Sequence, residues 1–77
     1  MVTKDNLKDV ISSLSNKDKK RILNSSKEFT VIYLHVFNAG WYATIRLTDD
    51  YNRYKNVSYN GNAILYTIEV QDLLKGL

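Results

Sequence analysis

Residues 29–38 read Phe-Thr-Val-Ile-Tyr-Leu-His-Val-Phe-Asn, a run without one formally charged side chain. β-branched and aromatic types dominate it, and such side chains fit a pleated, half-buried surface better than a helix. The run is far too short to span a membrane, which takes about 20 apolar residues. It reads as a strand of a folded domain, and only 77 residues are available to build that domain. A chain of this size buries about 60% of its unfolded surface, so the strand needs partners nearby. Asn38-Ala39-Gly40 offers a hairpin turn, with Trp41 to Thr48 as the return strand. Val57 to Tyr59, the turn Asn60-Gly61, and Asn62 or Ala63 to Val70 read as a second hairpin, because Asn-Gly tolerates the positive φ of a tight turn. Asp49 to Asn52 joins the two hairpins, and Gln71 to Lys75 reads as a short helical turn ending near Gly76. Ile64, Leu65 and Ile68 also fit a helix begun at Asn62, so 62–75 stays open between strand-then-turn and helix.

The first hairpin has two readings. A two-residue turn at Ala39-Gly40 pairs Phe37 with Tyr42, His35 with Thr44 and Tyr33 with Arg46. It gathers Ile32, Leu34, Val36, Ala43, Ile45 and Leu47 on one aliphatic face. A three-residue turn with Gly40 left-handed instead pairs Phe37 with Trp41 and places Tyr33, His35 and Phe37 beside Trp41, Ala43 and Ile45. A slip of one residue exchanges the faces, so the choice decides what is buried. Both readings put Tyr42, Thr44 and Arg46 on one exposed face, opposite Trp41, Ala43, Ile45 and Leu47.

The front of the chain has another character. Leu7, Val10, Ile11 and Leu14 recur at helical spacing, with Thr3 as an N-cap, and predict a helix from about Lys4 to Leu14. Ser15 caps a second helix, from Asn16 to about Asn24 or Ser25, with Asp18 three residues on. Residues 1–28 carry seven basic and four acidic side chains, and the remaining residues carry four of each, so the net charge of +3 lies in front. All nine aromatic residues lie from Phe29 onward.

The expected fold is one α+β domain over 1–77, a helical basic part (1–26) followed by a β-rich, tyrosine-rich part (27–77). Two N-terminal helices precede a three- to four-stranded antiparallel β-meander and the C-terminal helical turn. The expected core is Leu7, Val10, Ile11, Leu14, Ile22, one face of 29–38, Trp41, Ile45, Leu47, Ile64, Ile68, Val70 and Leu73. Tyr33 and Phe37 on the opposite face of 29–38 also call for burial, which points to a homodimer or a larger partner.

Little in the sequence supports catalysis. There is no cysteine, and His35, the one histidine, sits inside an apolar strand, where a structural role is the ordinary one. No phosphate loop or nucleotide fingerprint occurs, and Asp49-Asp50 with Asn52 offers too few oxygen donors for calcium. A non-enzymatic protein without metal or small-molecule cofactor is expected. Met1 to Asp5 lead into a charged segment with no apolar signal region, so a cytoplasmic location is expected, with no membrane partner.

Two surfaces remain for binding. Lys17, Lys20 and Arg21 make a basic ridge on the second helix. Tyr42, Arg46, Arg53, Tyr54 and Lys55 mix rings with cations, as a single-stranded nucleic-acid platform requires: bases stack on the rings while the cations follow the phosphates. Tyr and Arg are equally the preferred anchors of protein interfaces. The many Lys, Asn, Tyr and Ile and the absence of Pro resemble in style the small proteins of phages and mobile elements of AT-rich bacteria. That resemblance implies an accessory factor of replication or an inhibitor of a host system and fits both readings equally. The division between a basic ridge and a tyrosine-arginine surface points to an accessory protein binding nucleic acid, preferably single-stranded DNA, beside a larger replication or processing protein. The alternative is an interaction module or inhibitor that docks on a larger host or element protein without nucleic acid.

Overall fold

The long uncharged run becomes the central strand. In the computed structural model, which describes residues 1–77, β1 (Phe29–Phe37) lies between β2 (Gly40–Thr48) and β3 (Ala63–Tyr66), all antiparallel, in the order β2-β1-β3. Helices α1 (Leu7–Ser12) and α2 (Asn16–Leu23) precede the sheet. α3 (Tyr51–Tyr54) and a 3-10 turn at Val57–Asn60 connect β2 to β3, and α4 (Thr67–Lys75) closes the chain. The layout is the α+β arrangement expected, with three strands.

The first two helices start from local causes. The Thr3 N–H donates to Asn6 Oδ1 at 2.7 Å and the Asn6 N–H to Thr3 Oγ1 at 3.3 Å, a reciprocal pair that turns the chain into α1. Ser15 Oγ accepts the Asp18 N–H at 3.1 Å and caps α2. The Asp18 carboxylate turns outward to Arg21, 3.0 Å away, instead of closing a capping box.

The hairpin settles in neither of the two expected pairings. Phe37 faces Gly40, Val36 faces Trp41 and His35 faces Tyr42, so the turn is Asn38-Ala39 and the ladder is slid two residues from the first reading. A slide of two preserves the faces, and the aliphatic face of that reading is the one that forms. Neither Asn38 nor Ala39 takes a positive φ; Gly40, at +153°, supplies the unusual backbone as the first residue of β2.

The second hairpin does not form. Val57–Asn60 is a 3-10 turn, and Asn60 has a negative φ where a tight Asn-Gly hairpin would need a positive one. Gly61 alone is left-handed, at +84°, and ends the turn. β3 then pairs with β1, Phe29 to Tyr66 through Ile32 to Ala63, so the strand order departs from a sequential meander. The expected strand to Val70 stops at Tyr66, and the short turn expected at 71–75 is a helix of nine residues from Thr67.

The inner face of the sheet, Ile32 with Ala43 and Ile45, packs on Val10, Ile11, Leu14, Ile22 and Val70 from α1, α2 and α4. Each fully buried aliphatic side chain contributes roughly 1.5–3 kcal/mol. Leu7, Leu47 and Leu73 pack at the margin of this cluster, and Ile64 is half-buried on the opposite face. Three expected core residues lie outside, among them Val36 at the end of the aliphatic face of β1. Ile68 is 68% exposed, because α4 turns Thr67 and Val70 inward and leaves position 68 to solvent. Trp41 is 43% exposed, at the hairpin end that no helix reaches.

Burial along β1 is graded. Thr30, Val31 and Ile32 are fully buried, so both faces are covered near the start of the strand, while Val36 is 73% exposed and Phe37 53% at its end.

Candidate nucleic-acid interface

Strand parity sorts the expected binding residues. The pairs His35–Tyr42, Tyr33–Thr44 and Val31–Arg46 share the outer face, opposite the helical core. Tyr42 and Arg46 are exposed there, as expected, and Thr44 is half-buried. The α3 segment lies on this face, with Tyr51 against Phe29 at a ring separation of 5.2 Å. Asp50 starts α3 by accepting the Arg53 N–H at 3.2 Å.

This placement brings Arg46, Arg53 and Tyr54 together. The guanidinium of Arg46 lies 5.9 Å from the Tyr54 ring centre and that of Arg53 lies 5.7 Å from it, both within cation–π range. Neither arginine pairs with a carboxylate; the two ion pairs of the chain are Arg21–Asp18 and Lys27–Asp49. Lys55, exposed, caps the C-terminal end of α3. Toward the hairpin tip the His35 ring stacks on Tyr42 at 4.6 Å and 15°, and Phe37 tilts against the same tyrosine at 6.2 Å. His35 Nε2 lies 2.8 Å from Thr44 Oγ1, so the imidazole is fixed on both its plane and its edge.

Lys17, Lys20 and Arg21 stand elsewhere. α2 buries Ile22 against the inner face, so its basic ridge belongs to the helical layer, across the sheet from Tyr42 and Arg46. Lys17 and Lys20 are exposed and unpaired, and Arg21 is held by Asp18. The expected residues thus form two sites on opposite layers.

Sequence reasoning did not place His35 or Phe37 in the site, although one of its two hairpin readings paired Phe37 with Tyr42. Their signal was the odd positions of β1, which carry rings at 29, 33, 35 and 37. It also missed an acidic cleft of about 740 Å³ at the opposite end of the outer face, lined by Phe29, Tyr51 and Tyr66 with Glu28, Asp49, Asp50 and Glu69 around it. The Glu28 N–H donates to Asp49 Oδ1 at 2.9 Å, which holds that carboxyl below its usual range, aided by Lys27 at 3.3 Å and opposed by partial desolvation. The outer face is therefore polarised, cationic around Tyr54 and acidic beside Phe29.

No three His, Asp or Glu side chains converge to hold a metal ion, and no helix is long and apolar enough to cross a membrane. No protein-family model, curated protein or solved structure matches the chain.

Proposed function

We propose that this protein binds single-stranded nucleic acid, DNA in the first instance, on the outer face of the sheet. In this reading it is a non-enzymatic accessory of a larger replication or processing protein of a phage or mobile element. The observation that carries the proposal is the Tyr54 ring flanked by two guanidiniums with no carboxylate partner, on the same face as the exposed Tyr42. Stacking on a tyrosine supplies about 1–3 kcal/mol per base and tolerates any base. Arg46, Arg53 and Lys55 supply three cations for phosphates, which sets a slope of log K against log salt near −2 for a single strand. The acidic cleft repels a phosphate chain and turns it away from Phe29, toward Tyr54 and Tyr42. So short and weakly charged a site binds feebly at physiological salt, which is why a larger partner belongs to the proposal.

Titration of a fluorescent oligonucleotide at low and moderate salt tests it. Tyr42→Ala should weaken binding roughly 5- to 150-fold at unchanged salt slope, the equivalent of one stacked base. Arg46→Ala with Arg53→Ala should flatten the slope by about 1.4, at roughly 0.7 per phosphate. Lys17→Ala with Lys20→Ala, on the opposite layer, should leave the stacking component untouched. Absence of binding by the unmodified protein at low salt overturns the proposal. It then favours a protein partner, for which the exposed Val36, Phe37 and Trp41 of the hairpin tip are the natural anchors.

A further inference from the structure

The geometry points to a specific homodimer in which β2 pairs antiparallel with β2 of a second copy, centred on Thr44. This inference does not require nucleic-acid binding, although Tyr42 and Arg46 belong to both surfaces. β2 is a nine-residue edge strand, and its ladder to β1 runs without a bulge. In a two-residue hairpin Gly40, Tyr42, Thr44, Arg46 and Thr48 direct their backbone groups toward β1. Trp41, Ala43, Ile45 and Leu47 direct theirs away, and no loop, helix or side chain hydrogen-bonds to them. Most of the usual protections of an edge are missing: β2 has no proline, no lysine, no bulge and no charge turned toward the core, and its one charge, Arg46, lies on the outer face. The other edge, β3, has only four residues and offers a far shorter ladder.

The occupant follows from self-complementarity. With Thr44 opposite its own copy, Ala43 faces the partner's Ile45 and Trp41 faces the partner's Leu47, all four with outward backbone groups, as an antiparallel ladder requires. The half-exposed Trp41 thereby gains an apolar neighbour on the inner face. On the outer face Tyr42 falls opposite the partner's Arg46, a favourable ring–cation pair. Sliding by one step so that Ala43 meets its own copy loses both the Trp41–Leu47 and the Tyr42–Arg46 matches. Centring on Arg46 sets two like charges face to face, which is destabilising. The paired strands belong to residues 29–77, which are neutral. The +3 resides in residues 1–28, whose helices α1 and α2 pack on β2 and come to lie on one side of the joined sheet, so added salt should favour the association. The two outer faces become one six-stranded surface with the stacking tyrosines of both copies on it.

Sedimentation velocity from low to high micromolar protein, together with cysteine cross-linking, tests the pairing; the chain has no native cysteine. Thr44 and its copy form a non-hydrogen-bonded pair with Cα atoms about 4.5 Å apart, within disulfide range. Thr44→Cys should therefore give a covalent dimer under mild oxidation. A mixture of Tyr42→Cys and Arg46→Cys proteins should cross-link, while each alone should not, and this arm does not rely on Thr44. Trp41→Lys, outside the buried cluster, should be monomeric where the unmodified protein is dimeric, with an unchanged circular dichroism spectrum. A protein monomeric at every concentration overturns the inference. So does a dimer in which neither the Thr44→Cys protein nor the Tyr42→Cys and Arg46→Cys mixture cross-links.

Discussion

The hydroxyls of Thr30 and Thr67 lie 2.9 Å apart, with both residues buried, and join the central strand to the first turn of α4. One ladder step away the Thr67 N–H donates to the Glu28 carbonyl at 2.8 Å, so this threonine ends β3 and begins the helix. Thr30→Val or Thr67→Val should each cost about 1–3 kcal/mol, because each leaves one buried hydroxyl without its partner. The double variant should be less destabilised than the sum, since no orphan hydroxyl remains. Urea unfolding of the four proteins gives the coupling directly, and additive losses would show that the pair contributes nothing as a pair.

Gly40 allows the observed hairpin. At φ +153° it occupies backbone space that side-chain-bearing residues rarely adopt, yet an added Cβ would meet only Phe37 Cζ at 3.9 Å, an ordinary contact. The cost of Gly40→Ala should therefore be backbone strain alone, about 1–3 kcal/mol. Gly76 is the control: it sits at φ −88°, and its added Cβ would meet carbonyl oxygens at 3.6 and 3.7 Å. Gly76→Ala should be neutral or stabilising by up to about 1 kcal/mol. Thermal unfolding of both variants checks the contrast.

What the sequence made legible here was what local pattern controls. The residue types of 29–38 and the alternation at 41–48 identified both strands and the polar face of the second, while the buried face of the first stayed open between two registers; Ser15 marked the start of α2. The pairing slid by two because Asn38-Ala39-Gly40 holds several turn chemistries, and the one that forms keeps positive φ away from both turn residues. Tyr-Thr-Ile-Glu-Val at 66–70 prefers a strand locally. Burial of Val70 with Leu73 and Leu74 against the other helices outweighs that preference, and such packing has no local signal. The site divides the same way. Tyr42 and Arg46 follow from strand parity, whereas the closeness of Arg46 to Tyr54 depends on the fold-back of α3, and the separation of Lys17 and Lys20 from them depends on which layer α2 joins.

Asp49 gives the protein an acid-side dependence of known sign. The Glu28 N–H and then Lys27 hold its folded-state pKa below the unfolded value. Its contribution is complete above the unfolded pKa and is lost as pH falls through the folded one. Asp49→Asn keeps an oxygen to accept the Glu28 N–H but carries no charge. The variant should be less stable than the parent at neutral pH, and the gap should close as pH drops through the carboxylate range. Denaturant midpoints measured across that range check it, and a gap that is constant with pH would exclude ionisation of Asp49 as the cause.

The last expectation concerns Gln71, whose amide Nε2 donates to the carbonyls of Ile22 at 2.9 Å and Ser25 at 3.1 Å. One side chain of α4 thus reaches two oxygens at the end of α2, the Ile22 carbonyl, which also accepts the Ser25 N–H at 3.1 Å, and the Ser25 carbonyl just beyond it. Gln71→Ala should destabilise by about 1–3 kcal/mol through the lost bonds at a half-buried position. Gln71→Glu should be worse at neutral pH, because it turns a carboxylate toward two carbonyl oxygens. Those oxygens disfavour the charged form, so the folded-state pKa of the new carboxyl rises above the unfolded value. The folded protein then holds its proton more tightly, and stability must fall as pH rises between the two values, opposite in sign to Asp49. Protonated, the new carboxyl can donate one bond in place of two, so in mild acid Gln71→Glu should recover at least to the level of Gln71→Ala. Unfolding curves of both variants at mildly acidic and neutral pH decide it: equal stability at both pH values would mean that the side chain at 71 turns to water and that the carbonyls of Ile22 and Ser25 are satisfied without it.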